Sequence, residues 1–78
     1  MKATIWSKNN CTYCVQAKKV LELHQADIEV RMIDGITWTR EHLLESVPQA
    51  RTVPQIFIND EYIGGFNEMV TFLANNKS

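Results

Sequence analysis

The 78-residue chain, 45% hydrophobic and 22% charged, is long enough for one small domain over residues 1-78 and too short for a second with its own core. A formal net charge of -1, with Lys2, Lys8, Lys18 and Lys19 balanced by scattered carboxylates, provides no electrostatic footprint for nucleic acid or an anionic membrane surface. Nothing approaches the ~18 apolar residues of a membrane span, and Met1-Lys2 runs straight into a strand pattern rather than a signal-peptide core, so a cytoplasmic location is expected.

Ala3-Thr4-Ile5-Trp6 reads as a short strand, and Cys11-Thr12-Tyr13-Cys14 stands where strand gives way to helix. Helical spacing continues to about Gln25, with Val15, Val20, Leu21 and Leu23 expected inward and Gln16, Lys18, Lys19 and Glu22 solvated. His24, in the last turn, suits the negative end of the helix dipole. Ile28-Glu29-Val30-Arg31-Met32 alternates apolar with polar, as a half-buried strand does, and Asp34-Gly35 ends it. Strand, helix and strand predict a right-handed parallel crossover.

Thr37 or Thr39 then caps a second helix over about Trp38 to Val47, with Trp38, Leu43, Leu44 and Val47 as its apolar members, and Pro48 ends it. His42, near Glu41 and Glu45, reads as surface. Gln55-Ile56-Phe57-Ile58, Asn59-Asp60 and Glu61-Tyr62-Ile63 give a hairpin signal, because Asn and Asp tolerate the positive φ angles of a two-residue turn. Gly64-Gly65 turns the chain, and Asn67 is expected to cap a final helix with Phe66, Met69, Val70, Phe72 and Leu73 as its apolar residues. The polar tail Asn75-Asn76-Lys77-Ser78 reads as frayed. The order βαβαββα predicts an α/β fold, a four-stranded mixed sheet flanked by helices.

The two cysteines of the chain carry the chemistry. Two thiols separated by two residues can close a disulfide within one helical turn. A helix start adds unpaired N–H groups and partial positive charge, which favour a thiolate. Cys11 is then the more exposed, lower-pKa nucleophile, and Cys14, one turn deeper on the same face, is the thiol that resolves a mixed disulfide. Lys8 adds a nearby cation, whose ordinary reading is a solvated loop lysine. In a reducing cytoplasm such a pair is transient and catalytic rather than structural, and its short loop restrains the unfolded chain little. Pro54, just ahead of an apolar strand, marks an edge or entry to the sheet.

Taken together, Cys11-Thr12-Tyr13-Cys14, Thr52-Val53-Pro54-Gln55 with Ile56-Phe57-Ile58, and Gly64-Gly65-Phe66-Asn67-Glu68 resemble the glutaredoxin family over nearly the whole chain. The resemblance implies a thioredoxin-like fold, a cis proline at Pro54 beside the cysteines, and glutathione as reductant, with no metal. It implies that Cys11 takes up the glutathionyl group and Cys14 resolves it. Tyr13 would flank the sulfur, Thr52 would complete the wall, and the Val53 backbone would pair with the tripeptide like an added strand. Lys8 and Arg40 would hold the glycine carboxylate, and Gly65, Phe66 and Asn67 would receive the γ-glutamyl carboxylate at a helix N-terminus.

Three residues depart from the family pattern: Thr12 where proline is common, Asn67 where aspartate is frequent, and Trp6 where tyrosine is common. An amide at Asn67 offers no charge to the γ-glutamyl ammonium. The implied activity is a monomeric, glutathione-dependent reduction of disulfide-containing or glutathionylated proteins. One alternative is a hydrogen donor of ribonucleotide reductase fed by thioredoxin reductase. Another is a module holding an iron-sulfur cluster between two subunits, which the missing motif proline keeps open. A zinc site would have to recruit His24 and His42 from separate helices, without finger-like spacing.

Overall fold

In a computed structural model, which describes residues 1–75, the elements follow the expected order: β1 (Lys2–Ser7), α1 (Thr12–Leu23), β2 (Asp27–Met32), α2 (Arg40–Ser46), β3 (Gln55–Ile58), β4 (Glu61–Gly64) and α3 (Phe66–Asn75). Asn76, Lys77 and Ser78 of the expected frayed tail lie outside the described residues. The strands form one sheet in the order β2-β1-β3-β4. β1 runs parallel to β2, with Ile5 opposite Val30, and antiparallel to β3, with Ile5 opposite Ile56. Asn59 and Asp60 adopt φ of 52° and 66°, the left-handed pair that a two-residue hairpin requires.

Alternation along the central strands divides the apolar residues between two cores. Ala3, Ile5, Ile56 and Ile58 meet Ala17 and Leu21 of α1 and Met69 and Leu73 of α3 on one face. Trp6, one position along β1, meets Leu43, Val47 and Ala50 on the other face, which α2 covers. The result is a layered α/β structure with β1 and β3 buried from both sides, the arrangement expected of a thioredoxin-like fold.

Several local expectations change. Cys14, Ala17 and Leu21 form the buried stripe of α1, whereas Val15 and Leu23 are 54% and 82% exposed. Stepping about 100° per residue carries Val15 and Leu23 off that stripe, and the small Ala17 lets the helix approach the sheet. α1 also stops at Leu23, with His24 as C-cap and Gln25 at φ 58°, rather than continuing to Gln25.

Trp38 lies outside α2 and bridges to Ile33 instead. Its ring packs edge-on against Trp6, and the Arg31 guanidinium lies over both indoles. Thr39 is the cap: its Oγ1 accepts the His42 N–H while His42 Nδ1 accepts the Thr39 N–H. Thr37 has another use, because its N–H and that of Ile36 donate to Asp34 Oδ1 at 2.9 and 2.8 Å. Asn67 does not cap α3. That helix begins at Phe66, Gly65 occupies the cap position with its carbonyl accepting the Met69 N–H, and Glu68 Oε1 accepts the Gly65 N–H at 2.8 Å.

Candidate active site

β1 delivers the chain to the loop Lys8–Asn10, and Asn10 turns it at φ 60° into α1. Cys11 is the N-cap in extended conformation, and its Sγ accepts the Cys14 N–H at 3.2 Å, a place usually filled by a hydroxyl or carboxylate oxygen. The first helix turn brings Cys14 back beside it, with the Cα atoms 5.2 Å apart and the sulfurs joined as a disulfide. The two sulfurs are unequal in access: Cys14 is 3% exposed and covered by the core, while Cys11 is half-buried at the surface.

The loop before β3 supplies the second wall. The Val53-Pro54 peptide bond is cis, and the Val53 carbonyl oxygen lies 3.8 Å from Cys11 Sγ. Beside the sulfur a cleft of about 360 Å³ opens, lined by Tyr13, Thr52, Val53, Pro54, Gly65, Phe66 and Asn67 together with Glu68. Tyr13 is largely exposed, and its ring packs against Phe66 with centroids 5.6 Å apart. Of the nine site residues that the resemblance names besides the cysteines, Pro54 included, seven thus converge in one place. The remaining two do not: Lys8 lines a separate cleft on the other side of Cys11, and Arg40 opens α2 and lines neither.

Three further residues shape the site. Glu68 closes the floor of the cleft through its bond to the Gly65 N–H. Its spacing, three residues after the cap, is the capping-box signal that could have revealed it. The other two, Gln55 and Tyr62, brace the Thr52 segment: the Tyr62 hydroxyl donates to Gln55 Oε1 at 2.6 Å, and Gln55 Nε2 donates to the Thr52 carbonyl at 2.8 Å. Burial, followed by the nearby Glu68 carboxylate, pushes the Tyr62 phenol up from its ordinary value. A buried glutamine at the head of an apolar strand was the available clue to this pair.

The second cleft is larger, about 700 Å³, and both Cys11 and Cys14 line it together with parts of α1 and β2. Among the described residues, no group of three or more His, Cys, Asp or Glu side chains could hold a metal ion. No described helix is long and apolar enough to cross a membrane.

This fold, with a cysteine pair at a strand-to-helix junction beside a cis proline, defines a thiol-disulfide oxidoreductase of the thioredoxin-like type. Comparison with known proteins narrows the class. Residues 3–63 match the family model described as Glutaredoxin, and the chain belongs to the glutaredoxin family. It is 31% identical to glutaredoxin 1 of Escherichia coli, over 97% of this chain and 96% of that protein. It is 40% identical to glutaredoxin-C4 of Arabidopsis thaliana over 88% of this chain, but spans only 53% of that longer relative. Among solved structures, glutaredoxin 1 of Francisella tularensis, complexed with cacodylate, superposes with a TM-score of 0.79 at 34% identity, covering 95% of this chain and 93% of the other. A buckwheat glutaredoxin-glutathione complex superposes with a TM-score of 0.79 at 28% identity, covering 96% and 70% respectively.

Proposed function

We propose that this chain is a glutathione-dependent oxidoreductase, acting in the cytoplasm as a monomer to reduce protein disulfides and glutathione mixed disulfides. The observation that carries the reading is the unequal placement of the two sulfurs. Cys11 is accessible, beside a cleft, and its sulfur accepts the Cys14 N–H at the helix start, while Cys14 is enclosed one turn deeper. The buckwheat complex supports glutathione as the ligand of that cleft.

In the reduced protein the Cys11 thiolate, favoured by the helix end, attacks the glutathione sulfur of a glutathionylated substrate. The substrate thiolate leaves, and the glutathionyl group stays on Cys11. A free glutathione thiolate then attacks the glutathionyl sulfur, breaking its bond to Cys11, releasing oxidised glutathione and restoring the Cys11 thiolate. With a protein disulfide, Cys14 instead resolves the mixed disulfide, and two glutathione molecules reduce the resulting Cys11–Cys14 bond. The tripeptide lies between Tyr13 and the Thr52-Val53-Pro54 segment, using the Val53 backbone as a strand edge. Its γ-glutamyl carboxylate meets the start of α3 at Gly65, Phe66 and Asn67. Lys8, which lines the neighbouring cleft with Cys11, and Arg40, at the start of α2, are the residues the resemblance would set against the tripeptide's glycine carboxylate.

Steady-state assays with both substrate types test the reading. Cys11→Ser is expected to abolish both activities, while Cys14→Ser keeps removal of glutathione and loses reduction of protein disulfides. Turnover by the Cys11→Ser variant, or turnover supported by thioredoxin reductase but not by glutathione, would overturn it.

A further inference from the structure

Cys11 is approached from two sides, and the side opposite the proposed glutathione cleft has no role in the chemistry above. The 700 Å³ cleft there is the larger of the two, and Cys11 and the largely enclosed Cys14 are both among its lining residues, whereas neither lines the smaller one. Its apolar surface comes from Val15 on α1 and from Val30 and Met32 on β2. Val15 and Val30 are 54% and 37% exposed, so apolar surface faces water next to the reactive pair. Lys8 and Lys18 are the charged side chains of the lining, which contains no carboxylate. The neighbouring carboxylate of Glu29 is engaged by Arg31 at 2.6 Å and alternates to the opposite face of β2 from Val30.

We propose that this cleft docks the polypeptide around the disulfide of a protein substrate, and that it selects an acidic segment carrying apolar residues. The inference rests on the oxidoreductase reading and names its substrate class. A one-signed cationic lining favours carboxylates and disfavours lysine-rich segments. β2 is one of the two edge strands of the sheet and, among the described residues, has no neighbouring strand on its outer side up to the Trp38 bridge at Ile33. The division also suits the chemistry, since reduction of a protein disulfide uses both sulfurs. The Cys11 thiolate attacks one substrate sulfur, the substrate S–S bond breaks, and the other substrate thiolate departs. The Cys14 thiolate then attacks Cys11 Sγ, expels the second substrate thiolate, and leaves the protein disulfide. Two electrons pass from the pair to the substrate, and a segment held in this cleft stays beside Cys11, to which it is joined, until Cys14 resolves it.

The test uses three probes: a disulfide-cyclised peptide with Asp and Glu flanks, the same peptide with Lys flanks, and the mixed disulfide of glutathione with cysteine. Wild type is expected to prefer the acidic peptide in kcat/KM, with the preference shrinking as salt is raised. Lys18→Glu should lower turnover of the acidic peptide by about threefold to tenfold and raise that of the basic one. Val30→Ser should lower turnover of both peptides. Both variants should process the glutathione–cysteine mixed disulfide at the wild-type rate, which also shows that they are folded. Equal use of the two peptides by wild type, or an unchanged preference in Lys18→Glu, would overturn the docking proposal alone. Failure of wild type to process the glutathione–cysteine mixed disulfide would instead strike the reading beneath it.

Discussion

Gly64 shows how tightly one backbone position controls the cleft. It sits at φ +130°, and a Cβ there would lie 2.8 Å from Glu68 Cβ and 2.9 Å from its Cγ. The Glu68 side chain cannot withdraw freely, because its Oε1 holds the Gly65 N–H at the start of α3. Gly64→Ala therefore combines an unfavourable φ with a steric clash, and a loss on the order of 1–3 kcal/mol is expected in urea unfolding. An unchanged midpoint would mean that the α3 junction relaxes without losing its cap. Gly65 is more forgiving, since a Cβ there would meet Glu68 Oε1 at 3.1 Å and the Pro54 carbonyl at 3.6 Å.

The turn that leaves β2 is organised by a side-chain acceptor, while Ile33 and Trp38 on either side of it pack on the α2-side core. Asp34 gathers the N–H groups of Ile36 and Thr37, and these bonds hold its carboxyl below the usual carboxylate range. The folded state thus favours the ionised form. Its contribution to stability is fully present above the unfolded value of about 3.9 and is lost as pH falls through the lower folded value. Thermal melts from neutral to strongly acid pH should show a shallower acid decline for Asp34→Asn than for wild type. Parallel curves would mean that the turn forms without the charge. The same segment marks what local pattern could and could not reveal. Asp34-Gly35 and a threonine cap were readable because turn chemistry is local, whereas Trp38 left the helix for a bridge to Ile33 and contacts with Trp6 and Arg31. Those partners are distant in sequence, so helical spacing had no information about them.

Across the molecule, β1 sends Ala3 and Ile5 into one core and Trp6 into the other, so neither face of the sheet can open without loosening the strand they share. One cooperative transition follows. Trp6 and Trp38 both belong to the α2 side, so their fluorescence reports that core, while far-UV circular dichroism reports all elements. The two signals should superimpose in denaturant, and separated midpoints would show that the α2 layer melts alone. Element order and the hairpin were readable from residues because period-two and helical patterns are intrinsic to the chain. The cis peptide bond before Pro54 and the grouping of Tyr13, Thr52 and Val53 with Gly65 and Phe66 were implied only by resemblance, since they depend on loops that meet across the sheet. Missed were the exposure of Val15 and the braces from Gln55 and Tyr62, both set by tertiary packing.

The sulfur at position 11 holds two offices, reagent and anchor of the first helix. Silencing the reagent by truncation also slips the anchor, so an alanine in its place confounds lost turnover with a loosened helix end. Serine leaves an oxygen to receive the Cys14 amide and is the cleaner knock-out.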